Sequence, residues 1–299
     1  MKSSLFPLSG ELPDKYSSDP VFVRAIETKD AEEKSKSVSG LTILDNELFV
    51  VSEKSSEVKV YDSTKFSFSR RWKMKDLIRP IDIGSCSRNK CLYILQIKGI
   101  FRWSNEILRV DRYGILINKW STRGDVGYGL SVTDESNVIL TVANKNKLNK
   151  YSPDGQLIRE IDITSGAGIR CPRHVIELAN GHFLVSHGYG DLHRVCTVSA
   201  DGKPQKSFGE NRGSAIGQMN EPFYLSVDVN GFVMVVDRRN SRVLLLDPDL
   251  EFKREILSKE EHGLRDPSRI LLDGIKDRLF VADNEWNDGR ILIFQLGLK

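Results

Sequence analysis

The sequence predicts an all-β fold, a six-bladed β-propeller of four-stranded antiparallel blades. Three observations carry that prediction. Strand-like segments recur with an internal period of about 40–50 residues. Each period holds the same order of apolar strand, polar turn and second apolar strand. One strand-like segment stands ahead of the first unit, and the last unit lacks its own outer strand.

Taken in chain order, MKSSLFPLSGELPDKYSSDP is rich in Ser, Pro and Gly and reads as a flexible tail over residues 1–20. VFVRAIE at 21–27 has the apolar content of a strand, and TKDAEEKSKS at 28–37 reads as a solvated connector, with a short helical turn as the alternative. The units run from about residue 38 to the end, so 21–299 is one domain. Their second strands are ELFVVS, CLYILQ, VILTVA, HFLVSH, FVMVVD and RLFVAD, near-continuous apolar runs suited to burial on both faces. Their third strands align at Tyr61, Val110, Tyr151, Val198, Leu246 and Phe294, which sets the count at six. SPDG, SADG and DPDL supply the Asp, Pro and Gly of tight hairpins. QLIREI, KPQKSF and EFKREI have the mixed polarity of outer strands. The final unit stops at ILIFQLGLK, so VFVRAIE is predicted to complete it and close the ring.

Composition agrees with one globular domain. Apolar residues are 39% and charged residues 28%, and 44 basic against 41 acidic side chains leave a net charge of +3, far from the excess of a dedicated nucleic-acid binder. No apolar run approaches the length of a membrane helix or a secretory signal. The four cysteines, with no glycosylation sequon, point to plain thiols in a reducing compartment, and a cytoplasmic location is expected. CSRNKC at 86–91 supplies two thiols at hairpin spacing, without two further matched ligands for a metal.

VVDRRNSRVLLLDPD in the fifth unit, after NEPFYLSVDVNGFVMV, resembles the NHL repeat, in which a proline and an apolar strand lead to D-x-x-G, a second strand, D-x-x-N-x-R-V and a third strand. VANKNKLNKYSPDGQLI, VSHGYGDLHRVCTVSADG and VADNEWNDGRILIF are decayed versions of the same pattern. The run RHVIELANGHFLVSHGYGDLHRVC is similar to a group of uncharacterised invertebrate NHL-repeat proteins. The resemblance covers residues 38–299 and implies a propeller scaffold. In tripartite-motif ubiquitin ligases such domains bind protein or RNA. This chain carries no RING or B-box spacing, so ligase activity would come from another polypeptide.

Candidate site residues follow from the alignment of units. The position two after the repeat proline is Asp82, His174, Tyr224 and Arg269 in units two, four, five and six, with Gly40 and Gly129 in units one and three. An acid, an imidazole, a phenol and a guanidinium are therefore expected around one mouth of the central channel, able either to bind a peptide or polar small molecule or to bond neighbouring blades. His187, at the end of a second strand, is expected near the same upper face. Asp237 and Asp283, with Asn240, Arg242 and Arg290, belong to the repeat's turn pattern and are expected to shape it.

Four histidines, His174, His182, His187 and His193, fall close together in sequence, but their places in the unit separate them, and no metal or other cofactor is expected. Lys145, Lys147, Arg238 and Arg239 follow second strands and are candidate nucleic-acid contacts, with Tyr128, Phe223 and Tyr224 as stacking planes. Arg70, Arg71, Lys73 and Lys75 form a further basic group. With no nucleophile elbow, zincin helix or phosphate loop in the chain, the reading is a monomeric, non-catalytic scaffold for a protein or peptide, an adaptor for a ubiquitin-ligase or regulatory assembly. Single-stranded RNA binding on the upper face, and metal-dependent hydrolase or lyase chemistry at the channel mouth through Asp82 and His174, are the alternatives.

Overall fold

The computed structural model describes residues 14–28, 37–53, 55–99, 104–122, 124–164, 168–285 and 288–297. The first strand, β1 (Val21–Glu27), is followed by six groups that build the blades. Blade 1 is β2 (Val38–Leu44), β3 (Glu47–Ser52), β4 (Glu57–Asp62) and β5 (Phe68–Lys73). Blade 2 is β6 (Pro80–Cys86), β7 (Cys91–Lys98), β8 (Ser104–Asp111) and β9 (Leu116–Ser121). Blade 3 is β10 (Leu130–Val132), β11 (Val138–Val142), β12 (Lys147–Tyr151) and β13 (Leu157–Asp162). Blade 4 is β14 (Pro172–Glu177), β15 (Phe183–Tyr189), β16 (Leu192–Val198) and β17 (Pro204–Phe208). Blade 5 is β18 (Pro222–Val227), β19 (Val233–Asp237), β20 (Arg242–Leu246) and β21 (Phe252–Leu257). Blade 6 is β22 (Pro267–Asp273), β23 (Arg278–Glu285), β24 (Asp288–Gln295) and, as its outer strand, β1.

The N-terminal strand closes the ring in the predicted place. β1 runs antiparallel to β24 from Val21 opposite Gln295 to Glu27 opposite Arg290. The second strands are apolar on both faces because each blade is covered on both sides. In β3, Phe49 and Val51 pack toward blade 2 against Ile83, Leu92 and Ile94, while Leu48 and Val50 pack toward blade 6 against Phe280 and Ile293. This is the two-residue periodicity of a strand used to serve two neighbours. A fully buried side chain of this size contributes about 1.5–3 kcal/mol. One such cluster fills each of the six blade interfaces.

The flexible tail expected over 1–20 does not hold for its last residues. Residues 1–13 lie outside the described residues, as does 29–36 of the connector, but Asp14–Tyr16 forms a turn of 3-10 helix. Tyr16 is 1% exposed and joins the cluster between blades 5 and 6. Its hydroxyl donates to Asp228 Oδ2 at 3.0 Å, and Lys15 pairs with the same oxygen at 3.0 Å. A lone tyrosine among polar residues carries no periodicity, so the contact leaves no mark in the sequence. The four cysteines are free, and Cys86 and Cys91 face each other, buried, across the β6–β7 hairpin.

Candidate functional site

The inner strands of blades 1, 2, 4, 5 and 6 share one irregularity, a bulge just after the first residue. A bulge re-aims the side chain that follows it, and in four blades that side chain is Asp82, His174, Tyr224 or Arg269. The position two after the proline thus falls at the same place in these four inner strands. Of the two readings, ligand site or bonding between blades, the structure favours the second over presentation at an open mouth: the four are 0%, 3%, 9% and 5% exposed. They bond one another across the channel. Tyr224 OH donates to Asp82 at 3.2 Å from the diametrically opposite blade, and Arg269 Nε lies 3.5 Å from the same carboxylate. Arg269 also donates to Ile81 O at 2.7 Å and Tyr128 O at 3.4 Å. The rings of His174 and Tyr224 stack at 3.6 Å.

The glycines of blades 1 and 3 permit this closure. A Cβ on Gly40 would stand 2.9 Å from Asp82 Cα, and one on Gly129 would stand 2.7 Å from Arg173 O. Burial pushes the Asp82 carboxyl up to about 6 against the pull of Arg269, the Leu130 and Ile83 amides and Tyr224. Burial, with Arg269 nearby, pushes His174 down to about 3, so it is neutral at physiological pH.

On the upper face, where second strands end and linkers enter the inner strands, Asp237 and Asp283 form matching corners. Asp237 Oδ1 accepts from Asn220 N at 2.6 Å, and its Oδ2 accepts from Asn240 and from Arg242 Nε, both at 2.7 Å. Asp283 Oδ1 accepts from Arg265 N and Asp266 N at 2.9 Å, and its Oδ2 accepts from Arg290 at 2.7 Å. These carboxylates tie the linker to the blade, the shaping role read from the turn pattern.

His187 holds the equivalent position in blade 4. Pro172 pairs with it in register as Pro222 pairs with Asp237 and Pro267 with Asp283. It is 0% exposed, and neither ring nitrogen has a hydrogen-bond partner. Burial, with Arg194 and His193 adding to it, pushes it down to about 3. His193 is fully engaged: Nδ1 accepts from Glu221 N at 2.7 Å and Nε2 lies 3.0 Å from Gly190 O. Among the described residues no three His, Cys, Asp or Glu side chains gather as metal ligands.

The candidate nucleic-acid cations are all ion-paired. Lys145 and Lys147 meet Asp125 at 2.6 and 3.4 Å, Lys147 also meets Glu160, Arg238 is bidentate to Asp266 at 2.8 and 2.7 Å, and Arg239 meets Glu221 at 2.9 Å. The stacking planes are occupied as well. Arg173 lies 4.7 Å above Tyr128 and 5.6 Å from Phe223, and Arg238 and Arg269 lie 5.0 and 5.1 Å from Phe223.

What remains open on this face lies over blades 3 to 5. A cleft of about 520 Å³ is walled by Asn146, Ile169, Arg170, Cys171 and Tyr189. A second, of about 420 Å³, adds His187, Asp191 and Leu192, and a third, of about 310 Å³, reaches Arg173, Arg212, Glu221 and Arg239. Tyr189, 60% exposed, lines all three. Sequence reasoning passed over Tyr189. Its only signal was an aromatic between two glycines at the end of a second strand, where the other units carry polar or small residues.

No family model matches the chain. Among curated proteins, the mouse (Mus musculus) NHL repeat-containing protein 3 is 24% identical over 215 residues, and the match spans 62% of this chain and 62% of that protein. Among solved structures, a catalytically inactive virginiamycin B lyase from Staphylococcus aureus with quinupristin superposes with a TM-score of 0.62 at 13% identity, over 92% of this chain and 89% of that one. Hydrazine synthase of Kuenenia stuttgartiensis gives a TM-score of 0.65 at 12% identity, over 92% and 99%. A Bacteroides thetaiotaomicron protein of unknown function gives 0.65 at 13%, over 93% and 73%. Enzymes and a protein without assigned activity share this ring, so those likenesses speak for the fold alone. The repeat signature of the fifth unit, the six blades closed by β1 and the curated relative agree: this chain is a six-bladed β-propeller similar to NHL-repeat proteins.

Proposed function

We propose that the chain is a non-catalytic adaptor that recognises a protein or peptide segment on its upper face, over blades 3 to 5. The observation that carries this reading is Tyr189, a half-exposed phenol forming a common wall of three adjoining clefts. A tyrosine at the centre of a concave surface offers a large apolar contact with a hydrogen-bonding tip at little entropic cost, the usual anchor of a protein interface. Guanidinium and carboxylate groups, Arg173, Arg212, Arg239 and Glu221, edge the third cleft and suit a peptide backbone and its polar side chains. RNA is the weaker reading because Lys145, Lys147, Arg238 and Arg239 are already neutralised by Asp125, Glu160, Asp266 and Glu221. Chemistry at the channel is weaker because Asp82 and His174 are sealed inside a bonded cluster.

The test is selection of peptides from a displayed random library on the whole chain, followed by titration of the selected peptides against Tyr189→Ala. Affinity is expected to fall about tenfold or more, as for an anchor residue. An unchanged affinity removes the upper face as the site. Salt-sensitive binding of a random single-stranded RNA pool in place of any peptide would replace the reading by RNA recognition.

A further inference from the structure

Blade 4 keeps half of a device that blades 5 and 6 keep whole. In those blades the aspartate ending the second strand pairs with the arginine directly across from it on the third: Asp237 with Arg242 and Asp283 with Arg290, each at 2.7 Å. In blade 4 the arginine is present as Arg194, in register with position 187, but the carboxylate is gone and His187 stands there. Directly opposed residues of an antiparallel pair project to the same face, so Arg194 and His187 stand side by side as Arg242 and Asp237 do. Neither finds a substitute partner. Both ring nitrogens of His187 and Nε of Arg194 are buried and unbonded, and Arg194 makes no ion pair among the described residues.

A buried polar group left unbonded loses its hydration and gains nothing in return. Here three such atoms belong to two directly opposed residues, and one of these, His187, walls a cleft of about 420 Å³ together with Arg170, Tyr189, Asp191 and Leu192. The missing group is defined by its neighbours. A guanidinium Nε–H and the single N–H of a neutral imidazole are both donors, and a carboxylate brings acceptors only. Arg170, exposed on the cleft wall, adds a second positive charge.

We infer that the blade 3–4 cleft binds a carboxylate of a peptide partner, which takes the place of the aspartate absent from blade 4 and accepts from Arg194 and His187. The inference rests on the peptide-binding reading above and names the chemistry it selects. The carboxylate can belong to an internal acidic side chain or to a chain end, and the two are separable by experiment.

The experiment follows the side-chain N–H signals of Arg194 and His187 by NMR in the whole chain. Three probes are titrated: Ac-Ala-Glu-Ala-NH2, its Gln counterpart, and Ac-Ala-Ala-Ala with a free C-terminal carboxylate. A carboxylate probe is expected to shift both signals, the Gln probe to leave them, and the probe that acts identifies the source. His187→Asp supplies the carboxylate from within the chain. It is expected to raise the unfolding midpoint and to weaken carboxylate binding about tenfold or more, and Arg194→Gln is expected to weaken it without the rise in midpoint. The inference is overturned if the Gln probe shifts the signals equally, if neither carboxylate does, or if binding survives both substitutions. Should a library-selected peptide bind through Tyr189 while the Arg194 signal stays unmoved, only this inference falls; if no peptide binds the upper face, the broader reading falls with it.

Discussion

The corner of blade 5 and the corner of blade 4 occupy the same place in the repeat and are wired differently. At Asp237 a fully buried carboxylate gathers one backbone amide, one side-chain amide and one guanidinium, and so fastens the linker from blade 4 to the strand it crosses. At His187 the same backbone position, equally buried, fastens nothing. Blade 4 nevertheless folds as the others do, held by the apolar seam of Val185, Cys196 and Val198 against Ile139, Leu148 and Ile169 and by His193, which grips the amide of Glu221. The Asp–Arg corner therefore shapes and stiffens the ring without being needed in every blade, since Ser52 and Gln96 hold its place in blades 1 and 2 and His187 holds it in blade 4, where the surface opens.

The largest effect should come from taking the complete corner apart. Asp237→Ala takes the acceptor from Asn220 N, Asn240 Nδ2 and Arg242 Nε and is expected to cost about 3–5 kcal/mol in urea unfolding, against less than about 1 kcal/mol for His187→Ala, which removes no bond. Equal costs would erase the contrast. Asp82→Ala extends it to the axis. Loss of the acceptor shared by Tyr224, Leu130 N and Ile83 N, beside Arg269, is expected to cost about 3 kcal/mol.

Acidity sharpens the comparison next. His187 and His174 are held down near 3 in the fold against an ordinary value of 6.5, so the unfolded chain binds their protons first. Their contribution to stability is complete above about pH 6.5 and is lost as pH falls toward 3. Asp82, raised to about 6, acts in the opposite sense, since the fold takes up its proton first and gains stability as pH falls from about 6 to 4. His187→Gln should remove roughly half of the histidine slope in stability measured from pH 7 to 4. An unchanged slope would mean that His187 is not buried neutral. The smallest effect separates the two arginines. Arg242→Lys loses a fork that reaches Asp237, Ser214 O and Gln218 O and should cost about 1–2 kcal/mol by thermal unfolding, whereas Arg194→Lys should be near neutral.

Local pattern made the ring legible. The alternation within ELFVVS, the Asp–Arg spacing of DRRNSR and the spare strand VFVRAIE concern residues that pair with near neighbours or with a repeat of the same pattern. The axial residues were marked by their proline and bonding between blades was one of the two readings, but the partners were not legible, because Tyr224 meets Asp82 across the diameter of the ring and no local rule records that meeting. For the same reason Lys147 read as a candidate nucleic-acid contact, although it pairs with Asp125 from the preceding linker. His187 was visible as a residue; its lack of partners shows only once the strand opposite and the linker above it are in place.

The pairing of β1 with β24 also governs how the chain can be made. β1 emerges from the ribosome before any of the blades, and the strand it must join emerges after all of them. During synthesis blades 1 to 5 can stack in turn on their predecessors, while the segment bearing Val21, Phe22 and Val23 waits without a partner and keeps these three side chains partly exposed even after pairing. Closing so long a loop adds little to its entropic cost with each further residue, yet it cannot begin until β24 has been synthesised. A nascent chain stalled before β24 would hold an open ring with an unpaired apolar strand at one end, the state in which this protein is most exposed to chaperones and proteases.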